Sequence, residues 1–491
     1  MGQRGQEIDA ALQQWHAFCP HSFMIRCSKT LFFSFSFALF SGMFSATGVF
    51  GQTLFREMTL VPMTEDVDAI SDAWMLVSDD GYITSLGKGE PDSETVASAA
   101  NIISLEGKIV MPGFVSGHSH LWQSAFRGIA PDGELWPWLQ ALHWTYGDNF
   151  TEGDMKAFTA HGAWDQLCHG VTTTYNHTHW LDHDYAIFIE QFEAEMEIPQ
   201  RFIFSSCVDF QGESKLWAPR IAALKKKVDP KPASPLLDVA LNLQPYGPPD
   251  STKAQVELAE SLDINYQIHY LEQSGRQESD RANWPKYKKA GIPSKRATFA
   301  HFIHTDDTIL NESIEAGVGM VWNPLSNGRL GSGLADIPKY LEKGLPVAMG
   351  VDGQASADTS DPFQNMRMGL YATRMREEHS QGLQPIDMLR LHTIDTAKVL
   401  GVEKYVGSLE PGKFADFLII NPKSPITGPV WDVAAHLVFA CSASNIESIY
   451  VGGKQVIATG KPTEFELAPL ALEVETRILA LQQRHQTDPA E

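Results

Sequence analysis

The sequence predicts an α/β protein in which a (β/α)8 TIM barrel carries a small β-sandwich domain built from both chain ends. Three observations predict this architecture. Strand-like and helical segments alternate eight times in the middle of the chain, short alternating β segments with Asp-Gly and Glu-Gly turns precede them, and β segments of the same texture follow. The expected limits are 52–110 and 407–466 for the two parts of the sandwich, 111–406 for the barrel and 467–491 for a C-terminal helix.

The composition indicates a globular chain whose ligand is not a polyanion. The 491 residues are 43% hydrophobic and 20% charged, which is enough to bury the core of a large barrel with an appended domain. Asp and Glu number 60 against 38 Lys and Arg, for a formal net charge of −22. Since such a surface repels phosphate backbones, nucleic acid is not expected as a partner, and a small neutral or cationic ligand is favoured. The five cysteines are widely spaced without a CxxC pair, so they predict neither a disulfide framework nor a thiolate zinc site.

Residues 1–51 have the pattern of a leader. A short basic stretch with Arg26 and Lys29 is followed by a Phe/Leu/Ser-rich apolar run and then by small residues, which is typical of a secretory signal peptide. Cleavage is expected near Gln52, which predicts a periplasmic or secreted protein. An uncleaved anchor over 31–50 stays open as an alternative. Without a working leader the protein would be cytoplasmic, and beyond this segment no membrane contact is predicted.

Polar side chains recur where the eight predicted barrel strands end, which is the face on which barrel enzymes place their active sites. Because alternate residues of a strand point to the same side, a His-x-His pair at such an end can share one ligand. The strands are predicted to end near His118/His120, His177/His179, Cys207, Gln244, His269, His301, Asn323 and Asp352.

Four of these side chains form a predicted metal site. Imidazole and carboxylate ligands suit zinc or ferrous iron, so we expect one divalent ion, zinc in the first place and iron as the alternative. Such an ion lowers the pKa of water from about 15.7 towards ~7, which makes hydroxide available near neutral pH. Neighbouring Glu272 and His301 are candidates to orient it and to move protons. The candidate ligands are His118, His120, His269 and Asp352.

Several ordered motifs carry a resemblance to a known family. They are MPGFVSGHSHLWQSAFRG, HGVTTTYNHTH, IHYLEQ, AHFIH, WNPLSNGRLGSG, GVDG and GSLEPGKFADFLIIN. Together they span nearly the whole chain after the leader. The chain resembles the amidohydrolase superfamily, in the branch of the methylthioadenosine/S-adenosylhomocysteine deaminases and the triazine chlorohydrolases.

The resemblance implies a mononuclear hydrolytic site. Asp352 would ligate the metal and take a proton from water, Glu272 would shuttle protons to the ring nitrogen and leaving group, and His301 would hydrogen-bond the hydroxide and the developing oxyanion. Binuclear relatives bridge two metals with a carboxylated lysine, and the strands RFIFSSCVDF and LDVALNLQPYG contain no Lys. A second metal at the pair His177 and His179 is the weaker alternative, because no further ligand is clearly placed to complete it.

Two positions depart from the family pattern on the substrate side. Tyr246 stands where nucleoside deaminases of this branch carry a substrate-contacting His, and Gly147 stands where they carry a ribose-binding Glu. Ribose recognition is therefore not predicted, unless neighbouring Asp148 replaces that Glu. Aromatic and histidine side chains on barrel loops could instead hold a flat heterocycle. The predicted substrate-binding residues are His179, Trp122 and Tyr246.

These observations predict a metal-dependent hydrolase that replaces an exocyclic amine on an aromatic heterocycle with a hydroxyl group and releases ammonia. Purines, pterins and pyrimidines are the candidate substrates. Expulsion of chloride or an alkylamine from a triazine-like ring, or hydrolysis of a cyclic amide, stays open as an alternative. A metal-free scaffold protein is the non-enzyme alternative, and the intact ligand set argues against it. The expected partner is a small molecule, and the sequence leaves a homo-oligomer open.

Overall fold

The computed structural model describes most of the chain that follows the predicted leader. The described ranges are 51–65, 69–179, 185–208, 214–245 and 249–487. The predicted leader lies outside them apart from Gly51. Within these ranges, no helix combines the length and the apolar character that are needed to cross a membrane.

The described chain starts with strands of a mixed sheet. They are β1 Gln52–Leu60, β2 Ile70–Val77, β3 Ile83–Lys88, β4 Ala99–Ser104 and β5 Ile109–Pro112, with the short helix α1 Ser93–Ser98 before β4. β1 pairs antiparallel with β2 and parallel with β4 and β5. Gly81 and Gly107, in the Asp-Gly and Glu-Gly turns, have φ values of 88° and 75°. Glycine suits both positions because it adopts this left-handed conformation without strain.

Eight parallel strands then form the barrel in sequence order. They are β6 Phe114–Ser119, β7 Val171–His177, β8 Arg201–Cys207, β9 Leu236–Asn242, β10 Tyr266–Tyr270, β11 Ala297–His301, β12 Gly319–Trp322 and β13 Val347–Met349. Nearly every position along them is buried, as expected for strands with helices outside and packed side chains inside. After β13, the Val351 amide donates to Ser116 Oγ at 3.1 Å and the Asp352 amide to the His118 carbonyl at 3.0 Å, which brings this end against β6. The prediction of an eight-stranded barrel is confirmed.

Helices follow most barrel strands. They are α2 Leu135–Leu139, α3 Asp154–Cys168, α4 Tyr185–Met196, α5 Ser214–Lys225, α6 Pro249–Ser261, α7 Gln277–Arg281, α8 Trp284–Ala290, α9 Asp307–Glu315, α10 Pro324–Arg329, α11 Ile337–Glu342, α12 Pro362–Glu377, α13 Pro385–Leu391 and α14 Ile394–Leu400. Local sequence sets their starts: Asp306 caps α9 by accepting from the Ile309 amide at 2.8 Å. Residues 120–153, here called the β6–α3 loop, contain α2 and three short helical turns at Leu121–Phe126, Gln140–Trp144 and Gly147–Asn149.

The chain then returns to the first sheet. It adds β14 Phe417–Ile420, β15 Ile446–Val451, β16 Lys454–Ala458 and β17 Lys461–Pro462, with the helices α15 Val433–Phe439 and α16 Leu467–Thr487. β14 pairs antiparallel with β5, so both chain ends contribute to one nine-stranded sheet, as predicted. The amide of Ile83 donates to the Lys413 carbonyl at 2.9 Å, which brings the β3 edge back to the segment before β14. A separate apolar core that includes Phe55, Met75 and Phe417 fills this sheet. The exact domain limits stay a prediction.

A buried ion pair joins the barrel to this sheet. Arg201 begins β8 and Asp416 precedes β14, and both side chains are almost fully buried. Arg201 donates to Asp416 through Nε and, at 2.8 Å, through a terminal nitrogen. Its guanidinium also lies 4.4 Å from the ring centre of Phe414. Because Asp416 accepts the Gly452 amide at 2.7 Å as well, this charge pair is surrounded by hydrogen bonds, the condition under which a buried pair is tolerated.

Candidate active site

The predicted metal ligands come together at the carboxyl end of the barrel. His118 lies on β6 with His120 just after it, His269 lies on β10, and Asp352 follows β13. Both His118 Nε2 and His120 Nε2 approach Asp352 Oδ1, at 3.6 and 3.5 Å. His269 Nε2 lies 3.3 Å from His120 Nε2. Residues that are far apart in the sequence therefore direct their ligand atoms to one point, because parallel strands end at the same face.

This arrangement fits one divalent cation. Four ligands about 2.0–2.1 Å from an ion in a tetrahedron lie roughly 3.3–3.4 Å from one another, close to the separations found here. His118 Nε2 is buried and has no hydrogen-bond partner among the described residues, as expected of a nitrogen that is kept for a metal. His118, His120 and Asp352 form one group of potential ligands, and His118, His269 and His301 form another. Within the described residues, neither group includes His177 or His179.

Hydrogen bonds on the far side of the rings set which nitrogen faces the centre. His118 Nδ1 donates to Gln267 Oε1 at 2.5 Å, and His120 Nδ1 donates to the His177 carbonyl at 2.6 Å. With the proton on Nδ1, each ring presents its Nε2 lone pair to the centre. Gln267 also accepts from His177 Nδ1 at 3.0 Å and donates to the Gly117 carbonyl at 3.0 Å. A single buried amide thus holds two histidines and the backbone.

His301 lies at the same centre, but it carries its ring proton on the other nitrogen than His118 and His120 do. The amide nitrogen of Asn327 donates to His301 Nδ1 at 2.8 Å, so the neutral ring carries its proton on Nε2. That nitrogen lies 3.6 Å from Glu272 Oε2 and 3.8 Å from Asp352 Oδ2. Burial lowers the pKa of His301 to about 3, which keeps the ring neutral. His301 is therefore suited to donate a hydrogen bond rather than to bind a cation through Nε2.

The pKa values of the two carboxyl groups in the site are shifted in opposite directions. Burial, assisted by the charge of Asp352, raises the pKa of Glu272 well above its ordinary value. Burial would also raise the pKa of Asp352, but His118, His301 and His120 outweigh it and hold that pKa below its ordinary value. These shifts favour the protonated form of Glu272 and the ionised form of Asp352, and such a pair can divide acid and base work.

Two of these side chains belong to residues whose backbone is strained. His301 has a φ of 73° and Asp352 a φ of 60°, in the left-handed region that L-residues seldom adopt. Each such residue costs on the order of 1–3 kcal/mol, which the surrounding structure must offset. In both cases a barrel strand has just ended, and the turned backbone points the side chain across the barrel mouth.

A cavity of about 430 Å³ opens from this centre. His120, His269, His301, Glu272 and Asp352 line its inner part. The β6–α3 loop supplies an aromatic wall, and the segment that follows β10 supplies the other side. The outer lining side chains used below are Trp136, Trp138, His143, His179 and Arg276.

The predicted substrate-binding residues are placed differently from one another. His179 lines the cavity. Trp122 is fully buried behind it and donates from Nε1 to His179 Nδ1 at 3.2 Å, so it supports His179 and is not among the lining residues. Tyr246 lies outside the described residues. Substrate contact by these three residues stays a prediction.

Gln267 and His143 are among the residues of the site that the sequence did not predict. Gln267 stands two positions before His269, so the two-residue period of a strand would have placed it on the same side. His143 lines the cavity with its ring centre 4.7 Å from that of His179. It belongs to the β6–α3 loop, where no periodicity predicts the direction of a side chain.

Comparison with known proteins decides the family. The model of the family described as "Amidohydrolase family" matches residues 109–456, which is well over half of the chain. The chain belongs to the amidohydrolase family. As an amidohydrolase with relatives that are named deaminases, it is an enzyme that hydrolyses carbon–nitrogen bonds other than peptide bonds. The resemblance seen in the motifs is confirmed.

Relatives of this amidohydrolase match over nearly their whole length. The 5-methylthioadenosine/S-adenosylhomocysteine deaminase of Symbiobacterium thermophilum is 30% identical over 406 residues, which cover 81% of this chain and 92% of the relative. The protein of the same name from Syntrophomonas wolfei is 26% identical over 424 residues, covering 84% and 95%.

Solved structures share its fold at low identity. An adenosine deaminase from Xanthomonas campestris with bound zinc aligns with a TM-score of 0.78 at 21% identity, covering 88% of this chain and 98% of that one. Atrazine chlorohydrolase from Arthrobacter aurescens, in complex with zinc, aligns with a TM-score of 0.77 at 22% identity, covering 87% and 100%. These similarities show that the chain shares its fold with these proteins.

Proposed function

We propose that this amidohydrolase deaminates an amino-substituted aromatic heterocycle of the purine, pterin or pyrimidine type by hydrolysis, with release of ammonia. The observation that carries the proposal is the pair of buried carboxyl groups that line the cavity, Glu272 and Asp352, whose pKa values are shifted in opposite directions, upward for Glu272 and downward for Asp352. Deamination of an aromatic ring needs an acid for the ring nitrogen and a base for water, and these two groups meet both needs. The relatives named as deaminases support the same reaction.

We further propose that one divalent cation, zinc in the first place and iron as the alternative, is held by His118, His120, His269 and Asp352. When bound, it lowers the pKa of a water molecule so that a nucleophile is available near neutral pH. The separations between ligand atoms and the unpartnered His118 Nε2 support this assignment. The zinc in the Xanthomonas campestris and Arthrobacter aurescens structures supports the choice of metal.

The protein side chains then divide the proton transfers. Asp352 takes a proton from the attacking water, and Glu272 donates one to the ring nitrogen next to the carbon under attack. His301 donates its Nε2–H to the oxygen that is added to the ring. The proton that Asp352 took then passes through Glu272 to the amine, which leaves as NH₃, and the proton of the added hydroxyl restores Glu272. The amino-heterocycle and water thus give the oxo tautomer of the hydroxy-heterocycle and ammonia.

His179 is the proposed substrate contact beside this machinery. Because Trp122 donates to its Nδ1, a neutral His179 carries its proton on Nε2. That N–H is available to an acceptor atom on the ring.

The test is ammonia release by the protein starting at Gln52, loaded with zinc, on a panel of aminopurines, aminopterins and aminopyrimidines. We expect ammonia from at least one ring class and a loss of roughly 100-fold or more in kcat with Glu272→Gln. Glu195→Gln is the matched control, since Glu195 is equally buried with a raised pKa but lies outside the cavity lining. Asp352→Ala should lose both activity and zinc.

Release of a different product would contradict deamination. If the zinc-loaded protein releases no ammonia but releases chloride from a chlorotriazine, or opens a cyclic amide, the deaminase proposal is withdrawn. A protein that binds no metal and remains inactive after metal addition would support the scaffold alternative.

We also propose that residues 1–51 direct export and are removed near Gln52. β1 begins at Gln52, so cleavage there leaves the described fold intact. Amino-terminal sequencing of the protein from the periplasm or medium of a secreting host tests this. A start near Gln52 supports export, and full-length protein in the cytoplasm overturns it.

A further inference from the structure

The cavity has room for more than a bicyclic ring. Its volume of about 430 Å³ falls in the range of roughly 300–1,000 Å³ that holds drug-sized ligands. The proposed chemistry takes place at the inner end, at His301, Glu272 and Asp352. The lining continues outward to Trp136 on α2 and to Arg276 just before α7. A ring bound at the inner end therefore leaves the outer part of the cavity for a substituent.

Arg276 is the one lysine or arginine among the described residues that line this cavity. Its side chain is 50% exposed, and its guanidinium carbon lies 5.5 Å from the ring centre of Trp136. Trp136 is itself half exposed and packs edge-on against Trp144, with ring centres 5.1 Å apart. The guanidinium is thus held against an aromatic surface at the rim.

The donors of Arg276 are still available. Its contact with Asp280 is a single long approach, with Nε 4.0 Å from Oδ1, and no acceptor among the described residues receives a hydrogen bond from the guanidinium. By contrast, Arg329 bonds to Asp358 and to the carbonyls of Ile129 and Ala130. An ion pair at this distance with a half-exposed guanidinium is weak, so the N–H groups of Arg276 can still bind an incoming anion.

We propose that the substrate carries an anionic substituent, a carboxylate or a phosphate, which Arg276 binds at the rim while the ring occupies the inner cavity. The inference rests on the proposed deamination. It departs from the neutral or cationic ligand that the net charge of −22 favours, because Arg276 supplies a local positive charge that an anion can approach. Carboxylate and phosphate share the geometry that a guanidinium recognises through two parallel hydrogen bonds.

The test uses substrate pairs that share a ring and differ in charge. One pair is pterin and pterin-6-carboxylate, and the other is adenosine and adenosine 5′-monophosphate. Arg276→Met removes the charge and keeps an apolar chain against Trp136. The matched control is Arg220→Met, because Arg220 also stacks on an aromatic ring, 4.0 Å from the centre of Tyr185, but does not line the cavity.

We expect the parent protein to prefer the anionic member of a pair, and Arg276→Met to lower kcat/KM for that member by roughly 10- to 100-fold through KM, as loss of charge-assisted hydrogen bonds would. The neutral member should change less than about threefold, and Arg276→Lys should restore part of the loss. Arg220→Met should change neither member. The pair that responds identifies carboxylate or phosphate as the group bound.

Equilibrium binding by calorimetry separates this inference from the proposed function. Tighter binding of the anionic member that is lost in Arg276→Met supports the inference even if no ammonia is released. Equal binding of both members, or equal losses for both in Arg276→Met, overturns it even if ammonia is released from the neutral ring.

Discussion

Gln267 should control metal affinity although it is not a ligand. Its carbonyl accepts from His118 Nδ1 at 2.5 Å and from His177 Nδ1 at 3.0 Å, and its amide donates to the Gly117 carbonyl at 3.0 Å. Gln267→Met keeps the length of the side chain but removes the acceptor that fixes the His118 ring. Loss of such a supporting bond lowers metal affinity by about 10- to 100-fold, which equals roughly 1.4–2.7 kcal/mol.

The structure also predicts how two other variants behave. Gln267→Glu retains an acceptor for His118, so its zinc affinity should stay within about threefold of the parent. Gln200→Met removes another buried amide, which donates to the Val171 carbonyl at 2.7 Å, away from the histidines. It should lower stability by about 1–3 kcal/mol without changing zinc affinity.

Competition with a chromogenic zinc chelator gives the affinity, and elemental analysis of the dialysed protein gives the stoichiometry. Thermal unfolding of the metal-free variants measures the general cost of losing a buried amide. The reasoning would be refuted if Gln267→Met bound zinc as tightly as the parent, or if Gln200→Met weakened zinc binding to the same degree.

Three further predictions concern other parts of the molecule. Arg201→Met leaves Asp416 buried without its cation and should cost about 3–5 kcal/mol in urea unfolding; a cost below 1 kcal/mol contradicts this. Burial raises the pKa of Glu195 well above 4.5, so the folded state binds the extra proton and stability falls as pH rises above that value. Glu195→Gln should therefore raise Tm more at pH 8 than at pH 5, and an equal shift at both would contradict the assignment. Arg329→Met removes the hydrogen bonds to the carbonyls of Ile129 and Ala130, so amide hydrogen exchange in the β6–α3 loop should accelerate about tenfold or more. Unchanged exchange rates would show that Arg329 does not hold this loop in place.

Periodicity explains how much of the site the sequence could predict. Parallel strands end at one face, so polar residues at the predicted strand ends are sufficient to predict that His118, His269 and Asp352 lie close together. The same rule also covers Gln267, whose importance becomes visible only when its two histidine partners are located. For these residues the local sequence gives the position on a strand, and the barrel then brings the strand ends close together.

Loops do not follow that rule. Trp122 is a predicted substrate-binding residue because it is an aromatic side chain on a barrel loop, but it lies in a short helical turn, Leu121–Phe126, and is buried behind His179. His143 lies in a helical turn whose direction depends on packing against Trp122 and Trp138. Such placements follow from contacts distant in sequence, so neither composition nor spacing could predict them.

The residues proposed to carry out the reaction and the residues that shape the cavity therefore lie on different parts of the fold. The proposed ligands and proton carriers stand on strand ends or directly after them, where β-sheet hydrogen bonds hold them within a rigid barrel. The aromatic wall stands instead on the β6–α3 loop, which Arg329 fastens through Ile129 and Ala130 and which Trp138 fastens by donating from Nε1 to the Ala355 carbonyl at 2.7 Å. Because neither anchor uses the side chain of a proposed metal ligand, substitutions between them can change the cavity while leaving the reaction centre in place. A change of substrate should therefore require changes in this loop and around Arg276, with the histidine and carboxylate cluster unaltered.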